Sequence, residues 1–165
     1  MGYIKIGKIV NTHGIKGEFR IKSDVLHKDK IFKVGNNLYI GEGHIKEEIT
    51  SYRVHKDYDM VTFKGYPNIN EVLIYKNFNV YILEEELNLN NDEVILETLI
   101  GFKIIDDNNE LGTLQSIHYN GLNILLDINY TKPYYIPYNP NFIDHIDKEN
   151  KIIYTKNAKD LIIWK

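Results

Sequence analysis

The chain has no cysteine among its 165 residues. That excludes disulfides, a thiolate metal site and a cysteine nucleophile, and a reducing compartment is the natural setting for such a sequence. No apolar run is long enough to span a bilayer. The opening Met1-Gly2-Tyr3-Ile4-Lys5-Ile6 enters a strand pattern at once, with no basic segment followed by a long apolar run, so no signal peptide is expected. The expectation is a cytoplasmic protein. What is present, 43% hydrophobic and 26% charged residues, is the balance of a globular chain that folds unaided, as one ordinary domain or two small ones.

The net charge of −3 hides an asymmetry. Residues 1–83 hold 13 Lys and Arg against 9 Asp and Glu, whereas residues 84–165 hold 7 against 14. A basic half favours polyanions and an acidic half attracts basic proteins, although two ordinarily solvated surfaces would give the same count.

One stretch organises the rest. In Gly7-Lys8-Ile9-Val10-Asn11-Thr12-His13-Gly14-Ile15-Lys16-Gly17-Glu18-Phe19-Arg20-Ile21, strand-like residues flank two glycines three apart, with charge gathered at the bend. Gly14 and Gly17 fit turn positions that need a positive φ or a close backbone approach. After it, Ser23–Val34 reads as a loop or a short irregular turn. Strands are expected over Asn37–Ile40, His44–Val54, Met60–Phe63 and Phe78–Leu83, and Asn68 with Glu71 forms a capping box for a short helix over Ile69–Lys76. The acidic, asparagine-rich segment 84–93 reads as a linker. Beyond it a hairpin runs from Leu99–Ile105 through Asp106–Asn109 to Leu111–Ile117. Further strands are expected over Ile124–Ile128, Tyr134–Tyr138, Phe142–Ile146 and Ile152–Tyr154, with a short helix at Ala158–Trp164. Strands recurring at such short spacing point to a small barrel or sandwich.

Chemistry is thin. His13 has no serine or carboxylate beside it to complete a nucleophilic arrangement and no second histidine at metal-ligand spacing. The other five histidines are scattered singly, and the glycine pairs Gly14/Gly17 and Gly41/Gly43 precede no helix that would make a phosphate loop. The thirteen tyrosines sit mostly in or beside strands, where packing is their ordinary role. Two features remain: the basic hairpin of His13, Lys16 and Arg20, suited to RNA phosphates, and Val94-Ile95-Leu96, three large apolar residues that must bury against a domain or a partner.

The first hairpin, Arg53-Val54-His55-Lys56 with Val61–Gly65, the Leu99-Ile100-Gly101 and Leu111-Gly112-Thr113 pair, and Ile136-Pro137-Tyr138 together resemble the RimM family of bacterial ribosome maturation factors, nearly end to end. The resemblance implies a mainly β chain. An N-terminal six-stranded barrel like those of translation factors occupies 1–83, a linker 84–93, and a PRC-barrel 94–165. It also implies a monomeric, non-enzymatic role without cofactor or metal, assisting 16S rRNA processing and assembly of the 30S subunit head through ribosomal protein S-nineteen. On that reading Lys8, His13, Lys16 and Arg20 face RNA, and Val94, Ile95, Asn123 and Phe142 face protein.

Three departures from the family pattern stand out. Val94 and Ile95 replace an aromatic pair, Leu122-Asn123-Ile124 stands where the family favours Ala-Asn-Asp, and Asn109 takes the place of a turn glycine. Two rivals remain: an RNA-modifying or hydrolytic enzyme, for which no coupled acid and base is visible, and a PRC-barrel adaptor unrelated to ribosomes.

Overall fold

Alternating apolar residues along β1 (Tyr3–His13) and β2 (Glu18–Lys22) place Ile6, Ile9, Phe19 and Ile21 on one buried side. The same rule orders the rest of the computed structural model, which describes residues 2–13, 17–65 and 73–162, with the side chains of 11–13 and 73 left aside. The chain divides into two units, 1–98 and 99–165.

The first unit continues with α1 (Lys28–Ile31), β3 (Asn37–Ile40), β4 (Ile45–His55), β5 (Tyr58–Phe63) and β6 (Asn79–Leu83). Its strands close in the order β1-β2-β5-β4-β3-β6. β1 is shared, pairing antiparallel with β2 from Lys8 to His13 and with β6 from Tyr3 to Lys8. To bend round the barrel it carries two bulges, one between Lys5 and Gly7 and one between Ile9 and Asn11. At the first, the backbones approach so closely that a Cβ on Gly7 would lie 2.4 Å from the carbonyl oxygen of Lys22.

The segment expected to be a loop or a short irregular turn, 23–34, contains one helical turn and contributes to the core. Val25, Ile31 and Phe32 are buried there, and the Phe32 ring stacks on Tyr52 with centroids 5.3 Å apart. That expectation did not specify a helix because four helical residues are too few to show a period. In this unit the buried carboxylates Asp59 and Glu47 are each met by a phenol. The Tyr52 hydroxyl donates to Asp59 at 2.6 Å while the Lys28 ammonium lies 2.8 Å from the other Asp59 oxygen, and the Tyr75 hydroxyl donates to Glu47. Pairing of this kind is what makes a buried carboxylate tolerable. Residues 66–72, where most of the helix over Ile69–Lys76 was expected, lie outside the described residues; Leu73–Tyr75 form a 3-10 turn.

The stretch after β6 belongs to this first unit. Leu87 and Leu89 pack against the barrel's apolar cluster and Ile95 is a fully buried member of it. Polar contacts hold the same stretch: Tyr39 donates to Glu86 at 2.8 Å, and the Lys30 ammonium donates to the Asn88 carbonyl at 3.3 Å and lies 3.7 Å from Glu93. Residues 84–98 therefore run as a strap along the barrel.

The second unit holds β7 (Lys103–Asp106), β8 (Asn109–Asn120), β9 (Asn123–Asn129), β10 (Tyr134–Pro137), β11 (Ile143–Asp147), β12 (Ile152–Thr155) and α2 (Lys159–Ile162). Its strands pair in the order β10-β9-β8-β7-β12-β11, antiparallel except for β7 with β12. Leu114, Leu126, Ile128, Ile136 and Ile153 are buried in it, and the buried Tyr134 hydroxyl donates to the Leu111 carbonyl at 2.8 Å. At Gly112, φ is 111° and a Cβ would meet the Asn129 carbonyl oxygen at 2.4 Å, so only glycine fits this bulge in β8.

The turn expected over Asp106–Asn109 is in place, but Asn109 is not one of its left-handed positions. Asp106 pairs with Asn109, so the central residues of the β7–β8 turn are Asp107 and Asn108, with φ of 49° and 67°. A two-residue turn of this type needs positive φ at both positions. Asn109 is the first residue of β8, and its amide donates to the Asp107 carbonyl at 3.0 Å. Lys56 and Asp57 build the β4–β5 turn in the same way, with φ of 48° and 67°.

Two measurements check this account. Gly7→Ala forces a backbone shift at the barrel seam and is expected to lower stability by about 1–3 kcal/mol in urea unfolding. Ile95→Ala is expected to cost about 2–5 kcal/mol, read as lost hydrogen-exchange protection in β1–β6 and not only in the strap. Alkaline titration gives a further sign. Burial and the Glu86 carboxylate push the Tyr39 phenol up to about 12 from its usual 10.0. Burial and Asp59 raise Tyr52, and burial raises Tyr134. The stability these phenols confer is whole below their unfolded value and is lost as pH climbs toward the folded one. Absorbance titration is expected to show a late-ionising group of tyrosines that merges with the rest in denaturant.

Candidate functional site

Along β2 every second side chain points outward: Glu18, Arg20 and Lys22. Neighbouring strands in the barrel place Lys8 of β1 directly opposite Lys22, and Met60 of β5 opposite both Arg20 and Arg53 of β4. Four cations from three strands thus share one outer face. Two exposed lysines facing each other across a strand pair repel, which makes this arrangement unfavourable in the free protein by a few tenths of a kcal/mol or more.

The cations are not left to drift. The Arg20 guanidinium carbon lies 5.0 Å and the Lys22 ammonium 5.8 Å from the centre of the Tyr58 ring, where the electron-rich face of a phenol attracts positive charge. Arg53 holds Glu18 through two bonds of 2.8 Å, from Nε and from a terminal nitrogen. That fork reaches across β5, and Met60, on this outer side, is completely buried. Arginine stems can cover apolar surface in this manner while their charged ends face water.

Of the residues expected to meet RNA, the structure brings Lys8 and Arg20 onto this face. The His13 backbone pairs with Glu18 at the end of β1, and its side chain is outside the described residues, as are Gly14 and Lys16 entirely. Gly17 has a φ of 74°, a left-handed conformation that favours glycine. Lys22, Tyr58 and Arg53 were not singled out from sequence. The period-two alternation of β2 carries the signal for Lys22, whereas Tyr58 and Arg53 reach the face only through the β2-β5-β4 strand order, which no local pattern reveals.

The residues expected to meet protein are divided between the units. Val94 and Ile95 are buried in the first, and Ile95 has no accessible surface. Asn123 and Phe142 belong to the second. Asn123 opens β9 opposite Asn120 beside the fully exposed Leu122, and Phe142 is half-buried. The start of β9 is tied to the loop before Phe142: the Tyr138 amide donates to the Ile124 carbonyl at 2.8 Å, and the Phe142 amide donates to the Asn139 carbonyl at 3.0 Å. Ile124, in place of a carboxylate, leaves this region without an acid there.

Among the described residues no three His, Asp or Glu side chains gather as a metal site, and no helix is long and apolar enough to cross a membrane. What the first face offers is fixed positive charge on a rigid sheet, a surface for an anionic polymer.

Comparison with known proteins agrees with this architecture. Residues 4–87 match the RimM N-terminal domain and residues 96–161 the RimM PRC barrel domain. The ribosome maturation factor RimM of Staphylococcus haemolyticus is 37% identical over 155 residues, covering 91% of this chain and 93% of its own. That of Bacillus cereus strain ATCC 14579 is 35% identical over 159 residues, covering 92% and 93%. A RimM crystal structure from Pseudomonas aeruginosa aligns over 97% of this chain and all of its own with 21% identity and a TM-score of 0.48. With both domain models matched in order and relatives above one-third identity over nearly the whole length, the chain belongs to the RimM family of ribosome maturation factors.

Proposed function

We propose that this chain acts in the cytoplasm as a monomeric assembly factor for the small ribosomal subunit, assisting 16S rRNA processing and maturation of the 30S head by binding alone. The observation that carries the reading is the outer face of β1, β2, β5 and β4. There Lys8 and Lys22 are held opposite each other with Arg20 beside them, a like-charge arrangement that a phosphate backbone would relieve. His13 and Lys16, at the β1–β2 bend, extend the same basic surface in this reading. The second unit supplies the protein side, with Asn123 and Phe142 contacting ribosomal protein S-nineteen. Val94 and Ile95 take an indirect part by fixing the strap, as their burial supports.

In energetic terms the factor favours a native arrangement of RNA and protein by binding it more tightly than its alternatives, and no bond is made or broken. The domains in this proposal are a barrel of 1–83, a connecting segment and a PRC-barrel; the segment, expected to end at 93, packs on the barrel through Thr98, so the second compact unit begins at Leu99 and not at 94.

The test is binding of the full chain to a fluorescent fragment of head-domain 16S rRNA at two salt concentrations. Lys8→Thr and Lys22→Thr are each expected to flatten the slope of log affinity against log salt by about 0.7–0.9, one phosphate contact each. Either change should also raise the stability of the free protein by about 0.2–1 kcal/mol, because it removes the repulsion. An unchanged slope would exclude this face as the RNA site. For the protein side, Phe142→Ala and Asn123→Ala should each weaken capture of S-nineteen, with at least one costing more than about 1 kcal/mol in calorimetry. Sedimentation of cell lysate separates the ribosomal role from that of an unrelated adaptor: the proposed factor travels with immature small subunits and is scarce on finished ribosomes.

A further inference from the structure

The outer side of the first barrel formed by β3, β6 and the start of β1, next to the basic face, has a different chemistry. Tyr81 of β6 sits opposite both Lys5 of β1 and Tyr39 of β3, and Tyr3 pairs with Leu83 one step along. Over these strands folds the β3–β4 turn, Gly41-Glu42-Gly43-His44, anchored by the Gly41 amide donating to the Asn79 carbonyl at 2.8 Å. His44 is held at a φ of 51°, in the left-handed region that costs a non-glycine residue about 1–2 kcal/mol. In that position its ring stacks flat on Tyr3, with centroids 3.9 Å apart and planes at 12°, and meets Tyr81 edge-on at 4.7 Å. Tyr3 also touches Tyr39 edge-on at 5.1 Å.

Four aromatic rings from three strands and a turn therefore meet on one outer side of the barrel, where Tyr3 keeps 42% of its area exposed, Tyr81 and His44 are half-buried and Tyr39 lies beneath them at 5%. A packed core needs none of this, since Tyr3, Tyr81 and His44 lie outside the barrel's apolar cluster.

Carboxylates surround the rings. The Tyr81 hydroxyl donates to Glu42 at 2.5 Å and the Tyr39 hydroxyl to Glu86 at 2.8 Å. Hydrogen bonds from Tyr81 and Asn79 lower the Glu42 pKa, so this acid stays ionised at neutral pH. Glu84 and Glu85 follow directly on Leu83, and the field of Glu85 acts on the Tyr39 phenol. Lys5 and Lys46 flank the tyrosine row and Lys8 lies opposite Asn79, while Glu42 and Glu86 bond the phenols directly and Glu85 acts on Tyr39, so the acids are the charges nearest the rings. Acids so placed repel phosphate and argue against RNA here. Ring faces beside ionised acids are what a guanidinium seeks, since it is planar, stacks on aromatics and forks onto carboxylates. The flat stacking of the His44 ring on Tyr3 shows that this phenol accepts a planar nitrogen-bearing group.

We propose that Tyr3, Tyr39, Tyr81 and His44, with Glu42 and Glu86, form a docking site for an arginine side chain on a basic polypeptide segment. The barrel then presents two adjoining recognition faces, one for a polyanion and one for a polycation. The proposal does not depend on where RNA binds.

The probe is a capped peptide of alternating arginine and glycine, titrated into the full chain and followed by amide shifts in NMR, with a matched peptide carrying citrulline in place of arginine. Saturable binding of the arginine peptide alone is expected, with the largest shifts at Tyr3, His44 and Tyr81. Tyr3→Leu keeps an apolar residue on the strand but removes the ring face, and should weaken binding about threefold to thirtyfold while leaving the melting temperature and the rRNA salt slope unchanged. Glu42→Gln should weaken it in the same direction. Equal binding of the citrulline peptide, full affinity in Tyr3→Leu, or a loss of rRNA affinity in either variant would overturn the assignment.

Discussion

The first barrel depends on a single strand that serves two partners. β1 hydrogen-bonds to β2 with its second half and to β6 with its first, and no ring of six strands exists unless that one segment can turn from one neighbour to the other. The turning is done by two added residues and by the absence of a side chain at Gly7, where Lys22 and Ser23 crowd the backbone. Because β1 and β6 lie at opposite ends of the unit in sequence, their pairing is also the contact with the largest loop-closure cost in it. The placement of Lys8 follows from this constraint: it sits where β1 hands over, facing Lys22 on one side and Asn79 on the other.

The strap extends the same logic. A connecting segment rich in acid and asparagine has few reasons to order itself, and its composition reads as a tether. Its scattered apolar residues decide otherwise. Leu87 and Leu89 are too short a run to announce an element and Ile95 stands six residues further on, yet each meets the barrel's cluster. Tyr39 and Lys30 anchor the polar parts between them. The consequence reaches the recognition surfaces, because the same Glu86 that receives the Tyr39 hydroxyl belongs to the strap and also stands at the aromatic face.

What could be read in the sequence was whatever obeys a short period. β3, β6, β10 and β12 fall on or within one residue of their expected bounds, and β5 lies close to its own, because each is a short run of apolar and aromatic residues beside clear turn signals. The pairing of charge with the first hairpin was legible for the same reason. Less legible were features fixed by strand order. Arg53 and Tyr58 come to Arg20 only because β5 lies between β2 and β4, and Tyr3 comes to His44 only because the barrel closes. Left-handed turns without glycine were also hidden. Lys56-Asp57 carries no glycine to announce it, and at Asp107-Asn108 the family's glycine pattern drew attention one residue too far along.

The parallel pairing of β7 with β12 carries a consequence for how the chain is made. Translation delivers the first unit's last strand at Leu83 and its strap by Thr98, so that barrel has all its parts while the rest is still inside the ribosome. The second unit cannot assemble its sheet until Thr155 has emerged, because the strand that opens it waits for the strand that nearly ends it. Synthesis therefore delivers a complete first barrel ahead of the second unit, on the same machine that this family of factors helps to mature.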